Sequence, residues 1–103
     1  MIDFSKLTPS QLQIAKKVAE EAARQGIDPN LALAVAHQES RFKQFNDDNS
    51  VLQGPETKYK ERAMGVMQLM PSTAKGFKVD ASNLDENIRG GVAVLKTNLL
   101  TYK

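Results

Sequence analysis

Apolar residues recur at intervals of three and four residues through the first quarter of the chain, which predicts an amphipathic helix. The recurring positions are Leu12, Ala15, Val18, Ala19, Ala22 and Ala23. Thr8 and Gln11 have the spacing of a capping box at the helix start, and Gly26 marks its end. Asp28 and Pro29 then follow as the cap and first turn of a second helix. The N-terminal third is therefore predicted to be two helices joined by a tight link.

The second helix is apolar on every side between residues 31 and 36, which favours a helix packed inside a domain. One stripe along it has helical spacing and consists of Leu31, Val35, Glu39 and Phe42. A carboxylate on a buried stripe resists ionisation, and the negative end of the helix dipole acts in the same direction. The pattern therefore predicts a raised pKa for Glu39 and a role as general acid. A solvated surface glutamate is the alternative interpretation.

The pattern changes to turn-forming polar residues between residues 43 and 62, which predicts a long loop. Loops of this length are unusual inside compact domains unless they bind a ligand or act as lids. Because this loop follows Glu39, we expect it to form a wall of a substrate cleft. A mobile insertion is the alternative.

Two further segments complete the predicted elements. Residues 63–70 are apolar and rich in methionine, and a short helix opens at Pro71 and closes at Gly76. A last helix begins at Asn83 or Asp85, with one face formed by Ile88, Val92, Leu95, Leu99 and Tyr102. Residues 90 and 91 of this helix are both glycine, which lowers helix stability. The pair therefore indicates that another backbone approaches closely there.

Composition narrows the function classes. A chain of 103 residues makes one small domain, and its 14 basic and 12 acidic residues are interspersed as on an ordinary solvated surface. We therefore expect no nucleic-acid partner, and the second helix is too apolar to act as the recognition helix of a DNA-binding protein. The absence of cysteine excludes disulfides, thiol nucleophiles and zinc–thiolate sites, and neither a metal site nor a cofactor is predicted. No export signal or membrane-spanning run is evident.

Three segments, residues 26–42, 63–74 and 87–95, together resemble the lytic transglycosylase domain of the soluble murein type, a relative of goose-type lysozyme. Its most specific parts are the Glu39-Ser40 pair and the block of residues 65–71, Gly-Val-Met-Gln-Leu-Met-Pro. The resemblance implies a mainly α, lysozyme-like fold belonging to the α+β lysozyme superfamily. It also implies cleavage of the bond between N-acetylmuramic acid and N-acetylglucosamine in peptidoglycan, with glycan strands as the partner.

The resemblance places Glu39 on the family's catalytic acid. In that chemistry the acid protonates the leaving glycosidic oxygen, and the resulting carboxylate then takes a proton from the muramic C6 hydroxyl, which closes a 1,6-anhydro ring. A single carboxylate suffices, in contrast to the carboxylate pairs of ordinary glycosidases. The expected substrate-binding residues are Ser50, Met67, Gln68 and Met70. Core packing is the alternative role for the methionines.

The chain departs from the family's pattern in two places. The stretch between Glu39 and Gly65 is longer than usual, and the Ala-Tyr-Asn block and closing helices of the family are not found before Lys103. We therefore expect residues 1–103 to be a catalytic domain without its C-terminal helices. The missing cleft wall would come from a longer protein or from self-association.

Three functional interpretations stay open on the sequence. The first is a lytic transglycosylase acting on the bacterial cell wall, in the periplasm or outside the cell, encoded by a phage or forming a fragment of a larger protein. The second is a hydrolytic muramidase that pairs Glu39 with Asp47 or Asp48 to direct water. The third is a catalytically inactive peptidoglycan-binding module.

Overall fold

The computed structural model describes residues 2–101 and is mainly helical, as predicted. A short 3-10 helix at Phe4–Lys6 precedes four α-helices. These are α1 at Pro9–Gln25, α2 at Pro29–Ser40, α3 at Pro71–Gly76 and α4 at Leu84–Thr101. The β-structure found within residues 2–101 consists of isolated antiparallel bridges, which pair Phe45 with Val51, Gln53 with Met64, and Met64 with Leu69. Tyr102, predicted on the face of the last helix, lies outside the described residues.

The helix boundaries at the N-terminus follow the predicted signals. The Gln11 backbone N–H donates to Thr8 Oγ1 at 3.1 Å, and the Thr8 N–H donates to Gln11 Oε1 at 2.8 Å, which completes the capping box of α1. Gly26 ends α1 in the left-handed conformation, with φ of 78°. Asp28 caps α2 by accepting the Asn30 N–H at 2.9 Å. Each signal is local, and each prediction is confirmed.

The buried face of α2 differs from the predicted stripe. Ala32, Ala36 and Ser40 are the buried residues of this helix, whereas Leu31 and Glu39 are exposed. Because the helix carries apolar residues on every side, its sequence pattern did not select a face. Small side chains at four-residue spacing let α1 pack closely, so α2 turns this side inward.

The main core lies where α1 packs against both α2 and α4. Its buried members include Ile14, Val18, Ala22, Ala32, Ala36, Phe42, Ile88 and Val92. Phe42 is fully buried although it lies beyond the end of α2, because Arg41 and Phe42 adopt left-handed backbone conformations with φ of 54° and 61°. A large aromatic side chain thereby enters the core immediately after α2.

The glycine pair of α4 is in close contact with its surroundings, as expected, but with side chains and not with another backbone. An added Cβ at Gly90 would lie 2.6 Å from Val79 Cγ2 and 2.9 Å from Leu69 Cδ2, and Gly91 faces the Met67 side chain. The predicted apolar face of α4 is only partly covered. Ile88 and Val92 are buried, and Leu99 is 42% exposed.

Residues 43–62 form the predicted loop, without a helix, and fold back on themselves through short backbone pairings. At the end of the loop Glu61 accepts the Ser72 N–H at 2.8 Å and the Ser72 hydroxyl at 2.9 Å. Glu61 therefore caps the first turn of α3 and ties the loop to that helix. No helix within residues 2–101 has the length and apolar character needed to cross a membrane.

Candidate active site

A cavity of about 310 Å³ lies between the C-terminal end of α2, the turn of residues 64–69, α3 and α4. Its lining includes Val35 and Glu39 from α2, Met67, Gln68 and Met70 from the turn and its edge, and Leu95 and Asn98 from α4. Four of the five residues predicted to form the site therefore meet in one cavity, although they come from segments nearly thirty residues apart.

Glu39 is the one ionisable residue among those found to line this cavity. Its side chain is exposed, so the predicted burial is wrong. The reason is the rotation of α2, which directs Ala36 and Ser40 into the core and leaves Glu39 on the open side. In the free chain this carboxyl group faces solvent, and a molecule bound in the cavity would be needed to cover it.

Met67 and Met70 occupy different environments in the wall. Met67 is 7% exposed and packs against Gly91 of α4, whereas Met70 is half-buried and directly precedes α3. The core-packing alternative therefore describes much of Met67, and Met70 is the more accessible of the two. A flexible, polarisable side chain at this position can adapt to an irregular ligand surface.

Gln68 is held in an uncommon backbone conformation, with φ of 49°. Its Nε2 donates to the Gly65 carbonyl oxygen at 2.9 Å, which closes the turn on itself. The loop passes close to Gln68, because an added Cβ at Gly54 would lie 2.8 Å from Gln68 Oε1. Left-handed non-glycine residues cost energy and persist where the surroundings fix them, and they are enriched at functional sites.

The structure does not bring Ser50 into the cavity. Ser50 is exposed in the loop, where its hydroxyl and its N–H donate to Asp48, and its Oγ accepts from Asn46 Nδ2 at 3.1 Å. These bonds, above all the one from the Ser50 hydroxyl, hold the pKa of Asp48 below its ordinary value of 3.8. Asp47 lines a different cavity, beside Phe45 and Gln11. Neither aspartate accompanies Glu39.

The loop also does not form the cleft wall that its position predicted. It contributes no residue to the lining found around Glu39. The loop instead pairs with the first two residues of the turn, Met64 and Gly65. Gln53 forms a bridge with Met64, and the Gly65 N–H donates to the Leu52 carbonyl oxygen at 2.8 Å. Its effect on the cavity is therefore indirect, through the turn that carries Gln68.

Three buried polar residues lie around the turn, of which Ser40 was noted in the sequence only as the neighbour of Glu39, and Gln44 and Asn87 were given no role. Ser40 is 8% exposed, Gln44 is 1% exposed and Asn87 is fully buried. Gln44 stands in a polar stretch and resembles a solvated loop residue, so nothing local marked it. Asn87 carried a weak signal, since it directly precedes Ile88 on the inward side of α4.

His37 belongs to another surface. Its ring lies 5.5 Å from the Phe42 ring, centroid to centroid, and it borders a cavity with Leu33 and Phe4. It therefore packs against an aromatic ring and is not among the residues found to line the cavity around Glu39. Across residues 2–101 no group of three or more histidine, aspartate and glutamate side chains could hold a metal ion.

Comparison with known proteins supplies the family. The model of the transglycosylase SLT domain matches residues 16–103. A transglycosylase of Enterobacteria phage PRD1 is 36% identical over 92 residues, which cover 88% of this chain and 31% of the phage protein. The chain thus spans less than a third of the length of that relative, and no solved structure matches it. With four predicted site residues gathered around one cavity and most of its length matched, the chain belongs to the transglycosylase SLT domain family.

Proposed function

We propose that this chain cleaves the β-1,4 bond between N-acetylmuramic acid and N-acetylglucosamine in peptidoglycan, leaving 1,6-anhydro-muramic ends. The observation that carries the proposal is the cavity itself, in which Glu39 is the one ionisable residue found among apolar and uncharged polar residues. Such a wall suits an uncharged sugar ring. Membership of the SLT domain family supports the same substrate class.

The chemistry requires two proton transfers at a single carboxyl group. Protonated Glu39 donates to the glycosidic oxygen as the bond from the muramic C1 breaks, and the N-acetylglucosamine hydroxyl departs. The Glu39 carboxylate then accepts the proton of the muramic C6 hydroxyl, whose oxygen bonds to C1. Glu39 ends the cycle protonated, and no water is consumed.

Because Glu39 is exposed, the substrate itself would have to shield the carboxyl group from water. A glycan strand lying in the cavity would displace water from the carboxyl group and favour its neutral, proton-donating form. Met67, Gln68 and Met70 would contact the sugar during this step, with the Gln68 amide available for hydrogen bonding to a hydroxyl or acetamido group.

Hydrolysis is the competing reaction on the same cavity. An inverting glycosidase needs a second carboxylate about 6.5–9.5 Å from the acid, to activate water. Asp47 and Asp48 are the acidic residues nearest in sequence after Glu39, and both lie away from its cavity. The arrangement therefore favours the intramolecular attack of the C6 hydroxyl.

Product analysis in heavy-oxygen water separates the two reactions. We expect purified glycan strands to yield anhydro-muramic ends without labelled oxygen, as read by mass spectrometry. Reducing muramic ends carrying one labelled oxygen would instead establish a muramidase. Glu39→Gln should abolish release, and Glu20→Gln, which makes the same charge change on the exposed side of α1, should retain it. Unchanged binding of glycan with no wild-type release would identify an inactive binding module.

We also infer that the helical scaffold is of the lysozyme type and that residues 1–103 supply one part of a larger cleft. Leu99 and Leu100 are 42% and 60% exposed on α4, beyond the end of the cavity. A further segment or a second copy packed there would cover Leu95 and Asn98. Sedimentation of the purified chain with and without glycan strands tests self-association, and a monomer under both conditions would exclude it.

The phage relative is consistent with a phage-encoded protein acting on the cell wall.

A further inference from the structure

The buried polar side chains Ser40, Gln44 and Asn87 converge on one short piece of backbone, and we call them the buried polar cluster. They come from three separate places, namely the last residue of α2, the loop that follows it, and the first turn of α4. The backbone they reach is the turn of residues 64–69, which carries Met67 and Gln68 into the cavity.

The contacts satisfy four backbone groups of the turn. The Ser40 hydroxyl donates to the Val66 carbonyl oxygen at 2.7 Å, and Gln44 Oε1 accepts the Val66 N–H at 2.9 Å. Asn87 Oδ1 accepts the Met67 N–H at 2.9 Å, and Asn87 Nδ2 donates to the Met64 carbonyl oxygen at 2.7 Å. The turn thus takes much of its hydrogen bonding from side chains on other elements.

The remaining polar atoms of the cluster are also paired. Gln44 Nε2 donates to the carbonyl oxygens of Ala81 and Ser82, each at 3.1 Å, and Asn87 Nδ2 donates to the Ala81 carbonyl oxygen at 2.8 Å. Within residues 2–101 no buried side-chain nitrogen or oxygen lacks a partner. A fully satisfied buried network fixes one arrangement, because any shift leaves a desolvated group without its bond.

The turn is shaped to this cluster. Gly65 has φ of 70°, and an added Cβ would lie 2.2 Å from Gln44 Oε1 and 2.6 Å from Asn87 Nδ2. The amide groups therefore occupy the space where any other residue would place its side chain. Backbone conformation and cluster geometry determine each other at this point.

Ser40 directly follows Glu39, so the cluster connects the helix end that carries the proposed acid with the turn that carries the proposed sugar contacts. We propose that Ser40, Gln44 and Asn87 are positioning residues, which set the separation of Glu39 from Met67 and Gln68 without touching substrate. This inference rests on the proposed function. A displacement of about 1 Å between reacting groups can lower a rate about 100-fold.

The test compares Ser40→Ala, Ser40→Thr and Gln44→Met with the wild-type chain, at a temperature where circular dichroism shows each to be folded. We expect Ser40→Ala and Gln44→Met to lower kcat by at least about ten-fold with a smaller change in KM, because the acid is misplaced relative to bound glycan. Ser40→Thr keeps the hydroxyl and should restore most of the rate. Val18→Ala, a core change on α1 that leaves all three polar side chains in place, serves as the control for lost stability.

A second measurement keeps the inference separate from the proposed function. Amide hydrogen exchange at Val66 and Met67 should accelerate in Gln44→Met more than exchange in α1, because the acceptor of the Val66 N–H is removed. If the wild-type chain releases no product, the proposed function fails, and the affinity of the same variants for glycan strands then replaces kcat as the readout. Variants with fast exchange at the turn but wild-type turnover or affinity would overturn the positioning role, as would equal losses in Val18→Ala.

Discussion

Gly91 lies so close to Met67 that a Cβ on the glycine would be 2.2 Å from the Met67 Cβ. Met67 occupies its place in the cavity wall because α4 carries no side chain at this position. The helical cost of a glycine, about 1 kcal/mol relative to alanine, is thus offset by the packing of the turn against α4.

Gly91→Ala should therefore destabilise the fold by about 1–3 kcal/mol and displace Met67. Gly76→Ala is the matched control, because an added Cβ there meets nothing within 4 Å. Urea unfolding of the two variants measures the difference. Equal midpoints for both variants would show that the turn moves away from α4 without cost.

Gly65→Ala should cost more than Gly26→Ala, although both glycines have positive φ, of 70° and 78°. The left-handed conformation alone costs a non-glycine residue about 1–2 kcal/mol. At Gly26 an added Cβ has open space around it, whereas at Gly65 it would collide with Gln44 Oε1. The difference between the two unfolding free energies therefore isolates the collision, and a difference near zero would contradict the packing described for the turn.

Local signals in the sequence were enough to place the ends of α1 and α2. Thr8 and Gln11 form their bonds within one helical turn, and Gly26 acts through its own backbone, so no tertiary contact is needed to interpret them. The face of α2 that packs inward could not be predicted from local signals. Apolar residues surround that helix, and its orientation depends on how closely α1 approaches Ala32 and Ala36.

The pKa of Asp48 should rise towards its ordinary value of 3.8 in Ser50→Ala, because the hydroxyl that lowers it is lost. A lowered folded-state pKa adds stability above the unfolded-state value and loses that contribution as the pH falls through the folded-state value. The stability difference between wild type and Ser50→Ala should therefore be present at neutral pH and vanish in acid.

Asp80 provides the internal reference for this titration, since Ser82 lowers its pKa through the same kind of bonds. Carboxyl resonances followed by NMR should show Asp48 shifted and Asp80 unchanged in Ser50→Ala. Asp48 titrating alike in both proteins would show that the Ser50 bonds do not persist in solution.

Glu61→Ala should destabilise the chain by about 0.5–2 kcal/mol, the usual range for removal of a helix cap. Met70, the residue before α3, makes no side-chain capping bond to this helix. Glu61 from the loop instead accepts the hydrogen bonds of the Ser72 N–H and hydroxyl. Faster hydrogen exchange of the Ser72 amide should accompany the loss. Glu56→Ala removes a charge from an exposed part of the same loop and should leave both properties near wild type.

The candidate site was predictable only in part. Glu39, Met67, Gln68 and Met70 were expected from short blocks of sequence, and the cavity brings them together. Ser50 was expected from the resemblance, in a loop that is longer than usual, and a position carried over from a family is unreliable where a longer loop folds back on itself. Gln44 and Asn87 act through partners about 20 to 40 residues away, which no local pattern encodes.

Gln11 uses both ends of its amide group. Its Oε1 accepts the Thr8 N–H at the start of α1, and its Nε2 donates to the Arg41 carbonyl oxygen at 2.9 Å, just after α2 ends. One side chain thus defines a boundary that two helices share. Insertions or deletions that shift the beginning of α1 would also remove the bond from Gln11 to Arg41, two residues after Glu39. The position at which the first helix starts and the orientation of the proposed acid are therefore coupled.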